Sequence, residues 1–291
     1  MHKSVNYRIG GYQPEAEAVD PSFRILKDLA DDLTNRKISF PTFINATMRV
    51  RRALADPNVN ADRVARAILG EPLLAAKLVQ VANSAAIAGL GKRVSDVKGA
   101  VIRVGFANIH AVATALAMTQ LVVAKEMQPF LKYGQAVWKH SLDVGAIAFV
   151  IAKKLTRLNP DEALFAGLVH DVGRFYLLSK MPKYPELAAD PVAMEAVIAQ
   201  WHAPVGHAVL GAFDVSDAVL EAVADHESAE SASPPSTILD VVVTANALSK
   251  VPNPLNRQAP ANDPEAERSE MEKLLDDSSE ELTTLVAALG S

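Results

Sequence analysis

Segment after segment of this chain repeats apolar residues at helical spacing and then stops at a proline or glycine, and no long stretch shows the alternation of a strand. A chain punctuated this way buries its apolar faces only by packing helix on helix. Alanine, leucine and valine dominate an apolar content of 49%, with aromatics at only 5%, so the expected class is all-α. Asn60 is placed to cap a helix ending at Gly70, Pro72 falls in the first turn of the next, and Ser95 or Asp96 can cap another that runs to Gly105. Ile109 to Val123 carries little charge and predicts a central, buried helix. Beyond a boundary near Gln128-Pro129, helices are expected from about Tyr133 to Leu155, across Pro160 to Leu178, through Met194 to Trp201, near His207, near Val215 to His226, and from Thr237 to Ser249. At 291 residues the chain exceeds the usual single core. The expected division is an N-terminal extension (1–35) with a short helix from Pro21 to Leu33, a helical lobe (36–130), a second helical lobe (131–254) and an acidic helical tail (255–291).

Several chemistries are excluded early. The chain has no cysteine, which removes disulfides, thiolate ligands and cysteine nucleophiles together. Its start lacks the apolar core of a signal peptide and no apolar run reaches membrane-spanning length, so a soluble cytoplasmic protein with no membrane partner is expected. No Gly-rich phosphate loop, nucleophile elbow or serine triad is present. The net charge of −5 is uneven: nine acidic and two basic residues from Asp263 to Ser291 leave residues 1–262 at about +2. Arg49, Arg51 and Arg52, with Arg63 and Arg66 nearby, form a small basic cluster that reads as a solvated helix face or a partner contact. It lacks the extended basic stripe and interleaved aromatics of a nucleic-acid surface.

Chemistry-bearing residues gather in the second lobe. A His170-Asp171 doublet stands in Ala-Gly-Leu-Val-His-Asp-Val-Gly, with His140 in Trp-Lys-His-Ser upstream and His202 and His226 downstream. Phe40-Pro41, Gly70-Glu71-Pro72-Leu73-Leu74, Val81-Ala82-Asn83-Ser84-Ala85 and Ala100-Val101-Ile102-Arg103-Val104-Gly105 resemble the N-terminal half of HDOD domains, the HD-related output domains of bacterial signalling. Trp138-Lys139-His140-Ser141, Gly167 to Gly173, Glu195 with His202 and Gly206, and Ala222 to His226 resemble the C-terminal half. The resemblance covers roughly residues 36–252. It implies a two-lobed helical fold with an HD-like C-terminal lobe and a regulatory role in bacterial signal transduction, and it leaves catalysis open. The HD pattern also implies that His140, His170 and Asp171 converge on a divalent metal with a distal aspartate. This chain departs from it in three places: Glu71 stands where aspartate is usual, Glu227 follows His226 where many relatives have a second histidine, and Asn246 replaces the distal aspartate.

Asn246 would give a metal only a neutral carbonyl oxygen, so the site loses one negative charge, with His202 and His226 able to compensate in part if they face inward. Two readings follow. In one, these groups form a hydrogen-bonded polar cluster in a former metal cavity; in the other, a divalent metal binds with weak or partial occupancy, and Asn246→Asp would raise it. Hydrolysis would further require a phosphate clamp, for which Lys139, Lys153 and Arg174 are candidates by proximity in sequence alone. The favoured function is therefore a non-enzymatic signalling module that binds a partner protein or a small signalling ligand. The alternative is a metal-dependent phosphohydrolase acting on a nucleotide or cyclic dinucleotide. His110 and His207 read as core or surface histidines, and Trp138 and Trp201 as wedges whose ring N–H groups find a carbonyl. The tail is expected as one amphipathic helix from Pro264 through Leu289, lying on the chain's own body or on a partner, with its charge favouring the Arg49 to Arg66 region.

Overall fold

The structure, a computed structural model, describes residues 21–35, 58–84, 92–212, 215–230, 232–255 and 265–290, together with 50, 53, 54, 56 and 87. The basic residues Arg49, Arg51 and Arg52 lie outside the described residues. No strand occurs among those described, and the chain is all-α.

In the first lobe, α2 (Ala61–Leu69), α3 (Pro72–Ala82) and α4 (Val97–Val104) pack on one another. Their ends are set as the sequence indicates: Asn60 Oδ1 accepts from Arg63 N at 3.0 Å, and Asp96 Oδ1 accepts from Gly99 N at 2.8 Å. Gly105 then turns the chain with φ +80°, a conformation open to glycine and costly to other residues. It leads into α5 (Phe106–Val122), which packs on the first lobe and on the second. No single helix among the described residues is long and apolar enough to cross a membrane.

A 3-10 turn, Lys125–Phe130, precedes α6 (Leu131–Leu155), the longest helix of the second lobe. Around it lie α7 (Pro160–Val169), α8 (Val172–Lys180), the short α9 (Pro185–Ala188), α10 (Pro191–Gly211), α11 (Asp217–Asp225) and α12 (Ile238–Leu248). A capping box starts α12, with the Thr237 side chain bonded to Asp240 N and Asp240 bonded back to Thr237 N. Trp138 is buried as a wedge, but its indole N–H has no acceptor among the described residues.

Three helix limits differ from the sequence expectation. The helix expected across Pro160 to Leu178 breaks at His170-Asp171, where the imidazole Nδ1 of His170 takes the Gly167 carbonyl at 2.7 Å. The segments expected as separate helices at Trp201 and His207 are one helix, α10, with Pro204 inside it. The tail is two helices, α13 (Glu265–Asp276) and α14 (Ser279–Gly290), broken where Ser278 Oγ donates to the Leu274 carbonyl at 2.6 Å and accepts from Lys154 Nζ at 2.6 Å.

Of the surfaces considered for the tail, α14 uses the chain's own body. It packs on α6 and α5, burying Ala288 and Leu289, and pairs Glu281 with Lys153. The N-terminal helix α1 (Pro21–Thr34) lies against α9 and α10, with Ile25 and Leu29 buried and Asp32 bonded to Lys180 at 2.7 Å.

Candidate metal centre

Two glycine contacts set the helices that carry the cluster. A Cβ at Gly167 of α7 would come within 2.6 Å of Gly145 Cα of α6, and one at Gly173 of α8 within 1.9 Å of the His202 carbonyl of α10. Both contacts exclude any larger residue, because backbone itself would have to move. They draw α6 against α7 and α8 against α10, which brings His140, His170, Asp171 and His202 to one interior point. Helices α11 and α12 add His226 and Asn246 to it. All four histidines and Asp171 are at most 3% exposed, so His202 and His226 face inward with the others.

Each histidine donates through Nδ1 to a backbone carbonyl: His140 to Val251 at 2.8 Å, His170 to Gly167 at 2.7 Å, His202 to Ile198 at 3.1 Å and Ala199 at 3.0 Å, and His226 to Val223 at 3.0 Å. Such a bond fixes the ring and directs Nε2 inward, the arrangement that metal-ligating imidazoles use. Two donor groups result, sharing Asp171: His140, His170 and Asp171, and Asp171, His202, His226 and Glu227, with ligand atoms in each group within 4.8 Å of one another. In number, kind and closeness these donors suit a divalent ion. The buried Nε2 of His170 has no hydrogen-bond partner among the described residues, and burial lowers its pKa to about 3, which leaves it a neutral ring with an open lone pair.

Other groups already take what an ion would take. Asn246 presents its side-chain amide to His140 Nε2 at 3.0 Å. The atom in contact is Oδ1, and a half-rotation of the amide would present an N–H instead, so Asn246 can meet that nitrogen as acceptor or as donor. On the other side Arg174, fully buried, donates from Nε to Asp171 Oδ1 at 2.6 Å, from Nη2 to Glu227 Oε1 at 2.6 Å, and from Nη1 to the Leu255 carbonyl at 2.7 Å. Those are the carboxylate oxygens that face the histidines: Asp171 Oδ1 is 3.6 Å from the Nε2 of both His202 and His226, and Glu227 Oε1 is 3.3 and 3.6 Å from them. The other oxygen, Asp171 Oδ2, accepts from Asn253 Nδ2.

The charges balance accordingly. Burial alone would raise both carboxyls. Arg174 and then the histidines hold Asp171 well below the usual range, and bonds from His202 and His226, with Arg174, do the same for Glu227. Burial would lower His226, but its bonds to Asp171 and Glu227 win and raise it to about 9. Two anions thus meet two cations, Arg174 and His226. The donor types fit an ion, but the cluster as it stands does not, because a guanidinium occupies both carboxylates on which that ion would depend.

The residues considered for a phosphate clamp are dispersed. Lys139 is exposed, one helix step from His140. Lys153 is held by Glu281 of the tail. Only Arg174 reaches the cluster, and it is fully engaged there. His207 is exposed, and His110 lies with its ring centroid 4.4 Å from that of Phe165. Four contributors were not anticipated from the sequence: Glu227 as a donor, Asn253, and the carbonyls of Val251 and Leu255. The signal for Glu227 was its place beside His226, but no sequence pattern marks a backbone carbonyl in the segment after α12.

Comparison with known proteins gives the same lineage. The HDOD domain family model matches residues 40–229. A crystal structure of a candidate metal-dependent phosphohydrolase from Shewanella amazonensis SB2B is similar to this chain with a TM-score of 0.66 at 23% identity, covering 92% of this chain and 99% of that one. An HDOD domain protein of unknown function from Geobacter sulfurreducens is similar with a TM-score of 0.65 at 22% identity, again covering 92% of this chain and 99% of that one. An uncharacterized protein of Treponema pallidum (strain Nichols) is 25% identical over 193 residues, which span 63% of this chain and 36% of that longer protein.

Proposed function

This chain belongs to the HDOD domain family, and on that premise we propose that it is a regulatory module of bacterial signal transduction, working in the cytoplasm by binding a partner protein or a small signalling ligand and not by hydrolysis. One observation carries this reading. Arg174, the one clamp candidate that reaches the cluster, is spent inside it on Asp171, Glu227 and Leu255. Phosphoryl transfer needs cationic donors on the substrate's phosphate and access for that phosphate. Here the segment after α12 lies over the cluster, with Val251, Asn253 and Leu255 bonded to His140, Asp171 and Arg174. The test is a screen of the full chain against phosphomonoesters, phosphodiesters, nucleotides and cyclic dinucleotides with Mg2+, Mn2+ or Zn2+. No turnover is expected, and turnover abolished by Asp171→Ala would overturn the proposal.

A second reading, a metal-dependent phosphohydrolase, draws on a different observation: four inward Nε2 atoms meet two carboxylates, and one Nε2, that of His170, is left open. Under that reading the screen returns a metal-dependent activity on a nucleotide or cyclic dinucleotide.

A further inference from the structure

The two donor groups share an anion, Asp171, and depend on a second, Glu227, and both of these anions end on the same side chain. Arg174 reaches them with two separate arms at 2.6 Å each, while its third arm holds Leu255 at 2.7 Å. A surface arginine could swing away to admit an ion; this one is 1% exposed and lies one turn after Asp171. We propose that Arg174 is the resident cation of a latent transition-metal site: its guanidinium stands in for the dication that Asp171, His202, His226 and Glu227 would otherwise bind, and it keeps the wild-type chain metal-free. Three features of the cluster support this. Planar guanidinium bridges two carboxylates as a single ion would, but with fixed hydrogen-bond directions. Two of the four donors, His202 and His226, stay oriented by their backbone bonds without the guanidinium, and Asp171 keeps its bond from Asn253, so most of the site is preformed. And on the His140 side a neutral amide, Asn246, with Oδ1 3.0 Å from Nε2, stands where a carboxylate would add a further anion.

It follows that the loss of the distal aspartate is not what bars the metal. Asn246→Asp adds an anion near His140 and raises metal occupancy slightly, but leaves the guanidinium in place. Arg174→Met removes the fixed charge while keeping an unbranched, apolar stem of similar reach, and leaves the two carboxylates faced only by the His202 and His226 rings, which can give up a proton to bind an ion. That variant should take up Zn2+, Co2+ or Mn2+. This rests on the reading of the cluster as closed and non-hydrolytic, and the two can fail separately. Tight metal without turnover in the wild type defeats the inference alone, whereas hydrolysis by the wild type defeats the reading.

The experiment uses the full chain as wild type, Asn246→Asp, Arg174→Met and Arg174→Lys, with metal content measured after dialysis against Zn2+ and thermal melts recorded in chelator and in Zn2+. Expected are substoichiometric metal and an unmoved melt for the wild type, a small increase for Asn246→Asp, and about one ion per chain with a metal-dependent rise in Tm for Arg174→Met. Should Arg174→Met be insoluble without metal, Arg174→Lys carries the test, since an ammonium cannot bridge both carboxylates and some metal-dependent stabilisation should appear. The inference is overturned if the wild type binds Zn2+ as tightly as the arginine variants, or if the folded variants stay metal-free.

Discussion

The two halves of the buried cluster solve the same problem in different ways. On the α6 and α12 side, burial keeps the His170 ring neutral, and Asn246 sets a neutral amide 3.0 Å from His140 Nε2. On the α8, α10 and α11 side, Asp171, Glu227, His202 and His226 are a charged knot tied by Arg174. Two different groups thus stand where these ligands would face an ion: a neutral amide beside His140, and a fixed cation joining the two carboxylates. The charged half should dominate stability, since an uncompensated buried charge costs far more than a lost neutral hydrogen bond.

The strongest way to break this comparison is Asp171→Ala, which strands the Arg174 charge in the core; a loss of about 3–5 kcal/mol by denaturant titration is expected. A loss no larger than that at the neutral half would remove the distinction. A pH titration comes next, because the His170 ring of one half and the His226 ring of the other are shifted in opposite directions. His170, with a folded pKa of about 3 against an unfolded value near 6.5, contributes stability that is complete above pH 6.5 and drains as the pH falls from there. The depressed carboxyls of Asp171 and Glu227 add to that acid loss. His226, raised to about 9, contributes stability that is complete below pH 6.5 and is lost as the pH rises through 9, about 3 kcal/mol in all. Stability against pH should therefore peak near pH 6.5, and His226→Asn should flatten the alkaline limb while reducing the acid limb only in part, since His170 is untouched and Arg174 and His202 still hold the carboxyls down.

Smaller effects follow at single bonds. Glu227→Gln keeps an acceptor for Arg174 but removes an anion, for an expected loss of about 1–3 kcal/mol. Asn246→Ala, which removes the side-chain partner of His140 Nε2, should cost about 1 kcal/mol, and a larger cost than Glu227→Gln would reverse the ranking of the halves. Lys153→Ala, at the exposed contact between α6 and the tail, should change stability by no more than about 1 kcal/mol and leave both limbs of the pH curve alone.

Much of this was legible in the sequence because caps and breakers act locally. Asn60, Asp96 and Thr237 each end a helix by a bond to a backbone N–H three residues on, and each stands at the end its residue type suggests. The break at His170-Asp171 was hidden because apolar periodicity continues through it, and the competing bond from a ring to the Gly167 carbonyl leaves no pattern. Pro204 misled in the other direction, since a proline reads as a break although α10 runs through it. At the site, motif spacing identified His140, His170, Asp171, His202, His226 and Asn246 as a set. The partners that change the chemistry were less visible. Arg174 stands three residues from Asp171, an ordinary helical pair whose burial and second arm to Glu227 arise only when α11 is brought alongside, and Asn253 comes from a segment whose prolines mark it only as the end of the core.

The central claim, that this cluster carries its own counter-charges and neither holds nor uses an ion, is tested most directly by elemental analysis of the purified wild-type chain, followed by a phosphodiesterase assay of the same sample. The account predicts substoichiometric metal and no turnover. A tightly bound ion at one per chain, with turnover lost on Asp171→Ala, would contradict it.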